Sequence, residues 1–172
     1  LRLIEDPLGL KGSGNAAIAI VQASGNSSLR FSATGDGYCF YDTGDGKTLV
    51  TGTHLLSWQN TGINHSIKFY GRVAGLTGSG QSLVSARFDA AKQLKSLNLS
   101  GNQISNINLY YSPILENVIV PNNRIGGFDL AGKTGLKYFD ANNNSGVYLN
   151  IGECYSLTGL KVKDNDISGS YI

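Results

Sequence analysis

The chain reads as a mainly β protein in two parts, a small antiparallel β-sandwich-like module over residues 1–72 and a solenoid of five 21-residue turns over residues 73–172. Three observations predict it. Val73, Leu94, Leu115, Leu136 and Leu157 open successive segments spaced 21 residues apart, with apolar residues at the same offsets inside each. A fixed period of this length means one supersecondary unit per copy, stacked on its neighbours. Within the copies, pairs such as Leu97, Leu99 and Val118, Val120 alternate at a period of two, the pattern of a strand with one buried face. Residues 1–72 instead show short β-rich runs between Gly, Asn, Asp and Ser clusters, and the chain carries no amphipathic helix.

In the first part the runs are Ala17 to Val21, Leu29 to Ala33, Tyr38 to Tyr41 and Ile67 to Tyr70, each bounded by turn formers. In the second, the alternating pair that opens each copy is answered by another on the far side of the coil: Ile107 and Leu109, Phe128 and Leu130, Leu149 and Ile151. Each turn is therefore expected to hold two short inward-facing runs joined by tight bends. Asn102, Asn123, Asn144 and Asn165 close the first half of four copies, and Gln81 stands there in the degenerate first copy. Backbone groups at such a bend point inward and need partners. A short amide supplies donors and acceptors together, so these four residues are expected to form a structural ladder that bonds its own turn and the next.

The string LKSLNLSGNQI, from Leu94 to Ile104, resembles the leucine-rich repeat core LxxLxLxxNxL at every fixed place. LENVIVPNNRI and LTGLKVKDNDI resemble it equally; LKYFDANNNSG departs by placing Phe139, Ala141 and Gly146 at apolar positions, and VAGLTGSGQSL departs with Gly78 and Gln81. The resemblance covers residues 73–172 and implies a right-handed leucine-rich-repeat solenoid. Upstream, YDTGDGKT after FSATGDG resembles the WGDG-type turn of PKD-like domains, with Tyr41, Asp42 and Thr43 where that family more often has a Trp-containing strand end. INHSIKFYG resembles that family's last strand. The order PKD-like module then leucine-rich repeats resembles bacterial surface proteins, and it implies a non-catalytic extracellular or cell-surface recognition or adhesion module.

Composition narrows the function classes. A formal charge of +2, with no Lys or Arg run, argues against a nucleic-acid partner. No stretch approaches the ~20 apolar residues of a membrane-spanning helix. Cys39 and Cys154 fall in different modules without a CxxC, so no zinc site is expected and the thiols are expected to be free, a bridge between them being the alternative. His54 and His65 belong to no HExxH or GxSxG motif, and no enzyme activity is expected. Asp36, Asp42 and Asp45 form the densest carboxylate group, but Asp-Gly at hairpin turns explains Asp36 and Asp45 without a metal. Neither metal nor cofactor is expected.

Function then falls to exposed surfaces, which the repeat register locates. Residues flanking the inward strand positions stack into columns: Thr77, Asn98, Ile119, Asp140, Lys161; beside it Ser96, Asn117, Tyr138; and Ser100, Pro121, Asn142, Lys163. Ile119, Pro121 and Tyr138 are the sizeable apolar members. With Asp140 and Lys161 they form the candidate surface for a protein or glycan ligand. Tyr110, Tyr111, Tyr148 and Tyr171, near the second run, form a competing face. Ile172 falls at the offset of Leu109, Leu130 and Ile151 with no polar cap after it, so homo-oligomerisation or docking of another subunit is expected at the C-terminal repeat. The alternative to a surface module is a structural component of a phage virion, a spike, fibre or capsid-associated protein with a host-attachment role.

Overall fold

The computed structural model of the chain describes residues 19–23, 27–33, 39–42, 47–58 and 65–171. Among these residues the structure is all strand and turn, with no helix. Six strands precede the repeats: β1 (Ala19–Ala23), β2 (Ser27–Ala33), β3 (Cys39–Asp42), β4 (Lys47–Val50), β5 (Thr53–Trp58) and β6 (His65–Gly71). Nine follow: β7 (Val73–Thr77), β8 (Leu83–Arg87), β9 (Ser96–Asn98), β10 (Asn117–Ile119), β11 (Gly127–Asp129), β12 (Tyr138–Asp140), β13 (Tyr148–Asn150), β14 (Gly159–Lys161) and β15 (Gly169–Tyr171). Ala17, Ile18, Asp36, Tyr38, Asp45 and Ile172, and the TGDG turn at 43–46, lie outside the described residues.

The early strands pair antiparallel in two sheets that face each other. One has the order β4-β3-β6-β1-β8; the other begins β5-β2-β7. Phe31 of β2 and Phe69 of β6 meet edge to face across the gap with ring centroids 4.9 Å apart, which brings the two sheets onto one core with Val21, Leu29, Cys39 and Ile67. The boundary at Val73 is crossed by hydrogen bonds. β7 pairs antiparallel with β2 and parallel with β9, while β8 pairs antiparallel with β1. Both strands of the first copy are five residues long, against three for those of later copies, and the extra length lets them serve the module and the coil together.

From β7 onward the first sheet continues through β9, β10, β12 and β14, every step parallel and in 21-residue register. β11, β13 and β15 form a parallel sheet on the far side. The result is a β-solenoid of about four turns rather than the expected five, because the first copy's second strand is spent on β1. The second copy also departs from expectation: Ile104 and Leu109 are buried, but residues 104–109 form no strand. Its counterpart in the preceding copy, β8, pairs with β1 instead, so the segment has no parallel strand beside it on that side. Gly126 N–H reaches the Ser105 carbonyl at only 3.4 Å.

Much of the core is the predicted one, though Ile107, Ile151 and Leu157 are only half-buried. Leu94, Leu97, Leu99, Leu115, Val118, Val120, Leu136, Phe139 and Ala141 are fully buried. Phe139 and Ala141 act as a volume exchange: Phe139 meets Phe128 of the opposite sheet at 5.1 Å, and smaller residues follow it. At Gly146 a Cβ would come within 2.8 Å of Asn165 Oδ1 and 3.2 Å of Phe128 Cε2, so the departure from the apolar pattern there is forced by its neighbours.

The four asparagines stand in file. Asn102 Oδ1 accepts from the backbone N–H of Gln81 and Leu83, at 2.9 and 3.0 Å, and its Nδ2 donates to the Gly78 and Leu99 carbonyls at 2.7 and 2.8 Å. Asn123 takes Ile104 N–H at 3.1 Å and gives to Leu99 and Val120; Asn144 takes Ile125 N–H at 3.0 Å and gives to Val120 and Ala141; Asn165 takes Gly146 N–H at 3.0 Å and gives to Ala141 and Val162. Each amide thus bonds its own turn and the preceding one. The residue before each of the four, and before Gln81 in the first copy, runs through the left-handed region, at Gly101, Asn122, Asn143 and Asp164 and at Gly80 (φ 68, 56, 54, 57 and 64°), which is why Gly, Asn or Asp occupies that column.

Candidate functional site

The solvent face of the first parallel sheet carries the expected columns. The pairing register sets Thr77, Asn98, Ile119, Asp140 and Lys161 in one file, and Gly75, Ser96, Asn117, Tyr138 and Gly159 in the next. Successive members lie one rung apart, about 4.8 Å, so their side chains shield each other. Ile119, Pro121, Tyr138 and Asp140 are half-buried; Lys161 is exposed.

Tyr138, Asp140 and Lys161 form one cluster. The Tyr138 ring lies over Gly159, where any Cβ would overlap it; the glycine makes the space the ring occupies. Tyr138 hydroxyl donates to Asp140 Oδ2 at 3.4 Å, and Lys161 Nζ stands 3.8 Å from the same oxygen and 5.6 Å from the ring centroid. Asp140 Oδ1 accepts from Asn142 N–H at 3.2 Å, and the Asp140 side chain is 13% exposed. The Tyr138 hydroxyl first, then Asp140, hold Lys161 above the ordinary lysine range. The arrangement sets a tyrosine, a carboxylate and an ammonium together on the parallel sheet beside the apolar edge of Ile119 and Pro121.

A further charged file borders this cluster, and its residues carry the same 21-residue spacing without having been singled out from the sequence. Glu116 lies between Lys137, at 2.7 Å, and Lys95, at 3.8 Å. The hydrogen bond and charge of Lys137, with Lys95 behind them, hold Glu116 below the usual carboxylate range. Alternation of sign at that spacing was the available signal.

The competing tyrosine face separates into two places. Tyr110 and Tyr111 sit in a bend, 74% and 47% exposed and edge to face at 5.0 Å. Tyr148 lies half-buried on β13 between Gly127 and Gly169 of neighbouring rungs, and the side chain of Tyr171 is outside what the structure describes. His54 is half-buried and stacks on Tyr41, centroids 5.4 Å apart, beside Phe31; the side chain of His65 is likewise outside the description. Cys39 is buried and Cys154 half-buried, both free thiols, and burial pushes Cys39 up to about 12. Among the described residues no group of His, Cys, Asp or Glu is placed to hold a metal ion, and no helix is long and apolar enough to cross a membrane. Comparison of the chain with protein-family models, curated proteins and solved structures finds no match.

Proposed function

We propose that the chain is a non-catalytic recognition module whose partner, a folded protein, docks on the first-sheet face of the solenoid. The observation that carries this reading is the cluster of Tyr138, Asp140 and Lys161, held by mutual contacts on a parallel, in-register sheet next to Ile119 and Pro121. Preordered side chains lose little freedom on association, and an aromatic anchor beside fixed charges gives orientation as well as contact. The 21-residue period, the LxxLxLxxN pattern and the asparagine ladder support assigning the solenoid to the leucine-rich repeats, right-handed as that family is. The facing antiparallel sheets with the FSATGDG and INHSIKFYG strings support a PKD-like module before it. That order of modules favours an extracellular or cell-surface setting.

The test is a double substitution, Ile119→Ala with Tyr138→Ala, together with the charge reversal Lys161→Glu. Binding of the immobilised chain to surface-protein extracts is measured alongside thermal unfolding. Loss of capture by both variants, with melting temperatures close to that of the parent, supports the placement. Capture unchanged in both refutes it.

A further inference from the structure

On the first-sheet face the acids and the lysines differ in how far they reach solvent. Across the face and the file that borders it, the Glu116 and Asp140 side chains are 33% and 13% exposed, while those of Lys95, Lys137 and Lys161 are 54%, 60% and 55% exposed. The other described carboxylates of the solenoid, Asp89, Asp129, Glu153, Asp164 and Asp166, are all exposed. Along the coil, carboxylates are therefore drawn in on this face alone. Glu116 Oε2 accepts from Lys137 Nζ at 2.7 Å, and Oε1 faces Lys95 Nζ at 3.8 Å. Asp140 Oδ1 accepts from Asn142 N–H at 3.2 Å, and Oδ2 takes the Tyr138 hydroxyl at 3.4 Å with Lys161 Nζ 3.8 Å away. Every oxygen of the two acids is engaged from within the chain.

The ammonium groups are the reverse. Each carries three donors. Lys137 spends one on Glu116, and Lys95 and Lys161 stand 3.8 Å from their carboxylates, beyond hydrogen-bond length. The main chain of the file adds no free acceptor, because the Lys95, Glu116 and Lys137 carbonyls take the N–H groups of Glu116, Lys137 and Thr158 at 2.8, 2.8 and 2.9 Å. An approaching surface therefore meets donors and positive charge beside the half-buried apolar edge of Ile119 and Pro121. It must bring acceptors and negative charge. Nucleic acid and sulfated polysaccharide do so as polyanions, and their hold grows with the number of cations free to neutralise them. Here each lysine already has a carboxylate within 3.9 Å, Lys163 at the margin being set against Asp164, so no run of free cations is offered. Scattered carboxylates around an apolar centre match both the spaced lysines and the edge they flank. We propose that the partner of the first-sheet face is an acidic protein surface, its carboxylates seated on Lys95, Lys137 and Lys161 around an apolar centre that meets Ile119 and Pro121; this rests on that face being the docking surface.

The experiment titrates the isotopically labelled chain with a capped pentapeptide carrying two glutamates on either side of a phenylalanine, followed by amide chemical shifts. The same peptide with lysines in place of glutamates, and a heparin hexasaccharide, are the comparisons. Saturable shifts centred on residues 95–98, 116–121, 137–142 and 158–163 are expected with the acidic peptide, and its affinity should fall about threefold or more between about 50 and about 300 mM salt. Lys95→Gln with Lys137→Gln should weaken binding about fivefold or more, whereas Glu116→Gln, which frees both lysines, should strengthen it, each at a melting temperature close to that of the parent. Loss of structure would not give changes of opposite sign. Absence of saturable shifts at millimolar peptide overturns the proposal, as do shifts centred elsewhere on the coil, indifference to these substitutions, or tighter binding of the lysine peptide or the hexasaccharide. Capture from surface-protein extracts separates the partner's chemistry from the docking face itself. Capture that Ile119→Ala with Tyr138→Ala removes, and that Lys95→Gln with Lys137→Gln leaves intact, keeps the face and overturns the acidic partner.

Discussion

Asn123 shows what a single amide does in this coil. Its Oδ1 takes the Ile104 N–H at 3.1 Å and its Nδ2 serves the Leu99 and Val120 carbonyls at 2.8 and 3.1 Å, all within a site it leaves 9% exposed. Asn123→Ala strands those backbone groups away from water and should cost about 1–3 kcal/mol. Asn165 makes the same pattern of bonds but is half-buried in the last bend, where water replaces the lost partner, so Asn165→Ala should cost less. Urea unfolding of both variants checks the ordering; equal losses would mean that burial does not set the value of the amide. Cys39 offers a pH prediction. Burial raises its thiol from 9.0 to about 12, so the native state keeps the proton while the unfolded chain releases it. The stability this contributes is intact below pH 9.0 and is lost as pH rises toward about 12. Near pH 10 the parent should lose about 1 kcal/mol more, relative to neutral pH, than Cys39→Val, which has no proton to release. Matching urea midpoints across that range would contradict the assignment.

At the scale of one turn, copies compensate for their departures. The fourth copy replaces the usual aliphatics with Phe139, Ala141 and Gly146, and the Phe128–Phe139 contact takes up the space. Gly146→Leu restores the repeat consensus yet should destabilise by about 2 kcal/mol or more through overpacking against Phe128 and Asn165. Phe139→Leu in the same chain should recover part of that loss, and a double-mutant cycle reads the coupling directly; strict additivity would show that the two sites do not share volume. This exchange also marks how far the sequence was legible. The period, the inward residues and the asparagine file follow from spacing alone, because each is fixed by repetition of one geometry. The missing strand at 104–109 does not, since its apolar pattern is intact and spacing does not reveal that β8, its counterpart in the first copy, pairs with β1 instead. Likewise the columns of the candidate face were readable, but the link among Tyr138, Asp140 and Lys161 depends on Gly159 giving way to a ring, which spacing does not reveal.

For the whole molecule, the decisive feature is that the coil is sealed at one end and thin at the other. β7 and β8 are hydrogen-bonded to β2 and β1, so the first turn shares the antiparallel core of the strands before it; the repeats are visible in the spacing, while this splice needed knowledge of which strands pair. At the far end β14 and β15 are the outermost strands of their sheets. Leu157, Val162 and Ile167 are half-buried and Leu160 is 43% exposed, whereas Leu97, Val118 and Phe139 at the equivalent inward place are fully buried. In a stacked array each turn is held by its own contacts and by its neighbours, and local opening follows the smallest buried area. Amide hydrogen exchange should therefore show a gradient along the coil: fastest at β14 and β15, slower at β12 and β13, slowest at β9, β10 and the strands of the module they adjoin. Leu160→Ala should steepen the gradient at the end while leaving β9 and β10 unchanged, because the affected turn opens before the rest. Uniform protection from β7 to β15, or a Leu160→Ala effect spread equally over every rung, would instead mean that the coil and module unfold as one unit, with the splice at β7 and β8 transmitting stability along the full length.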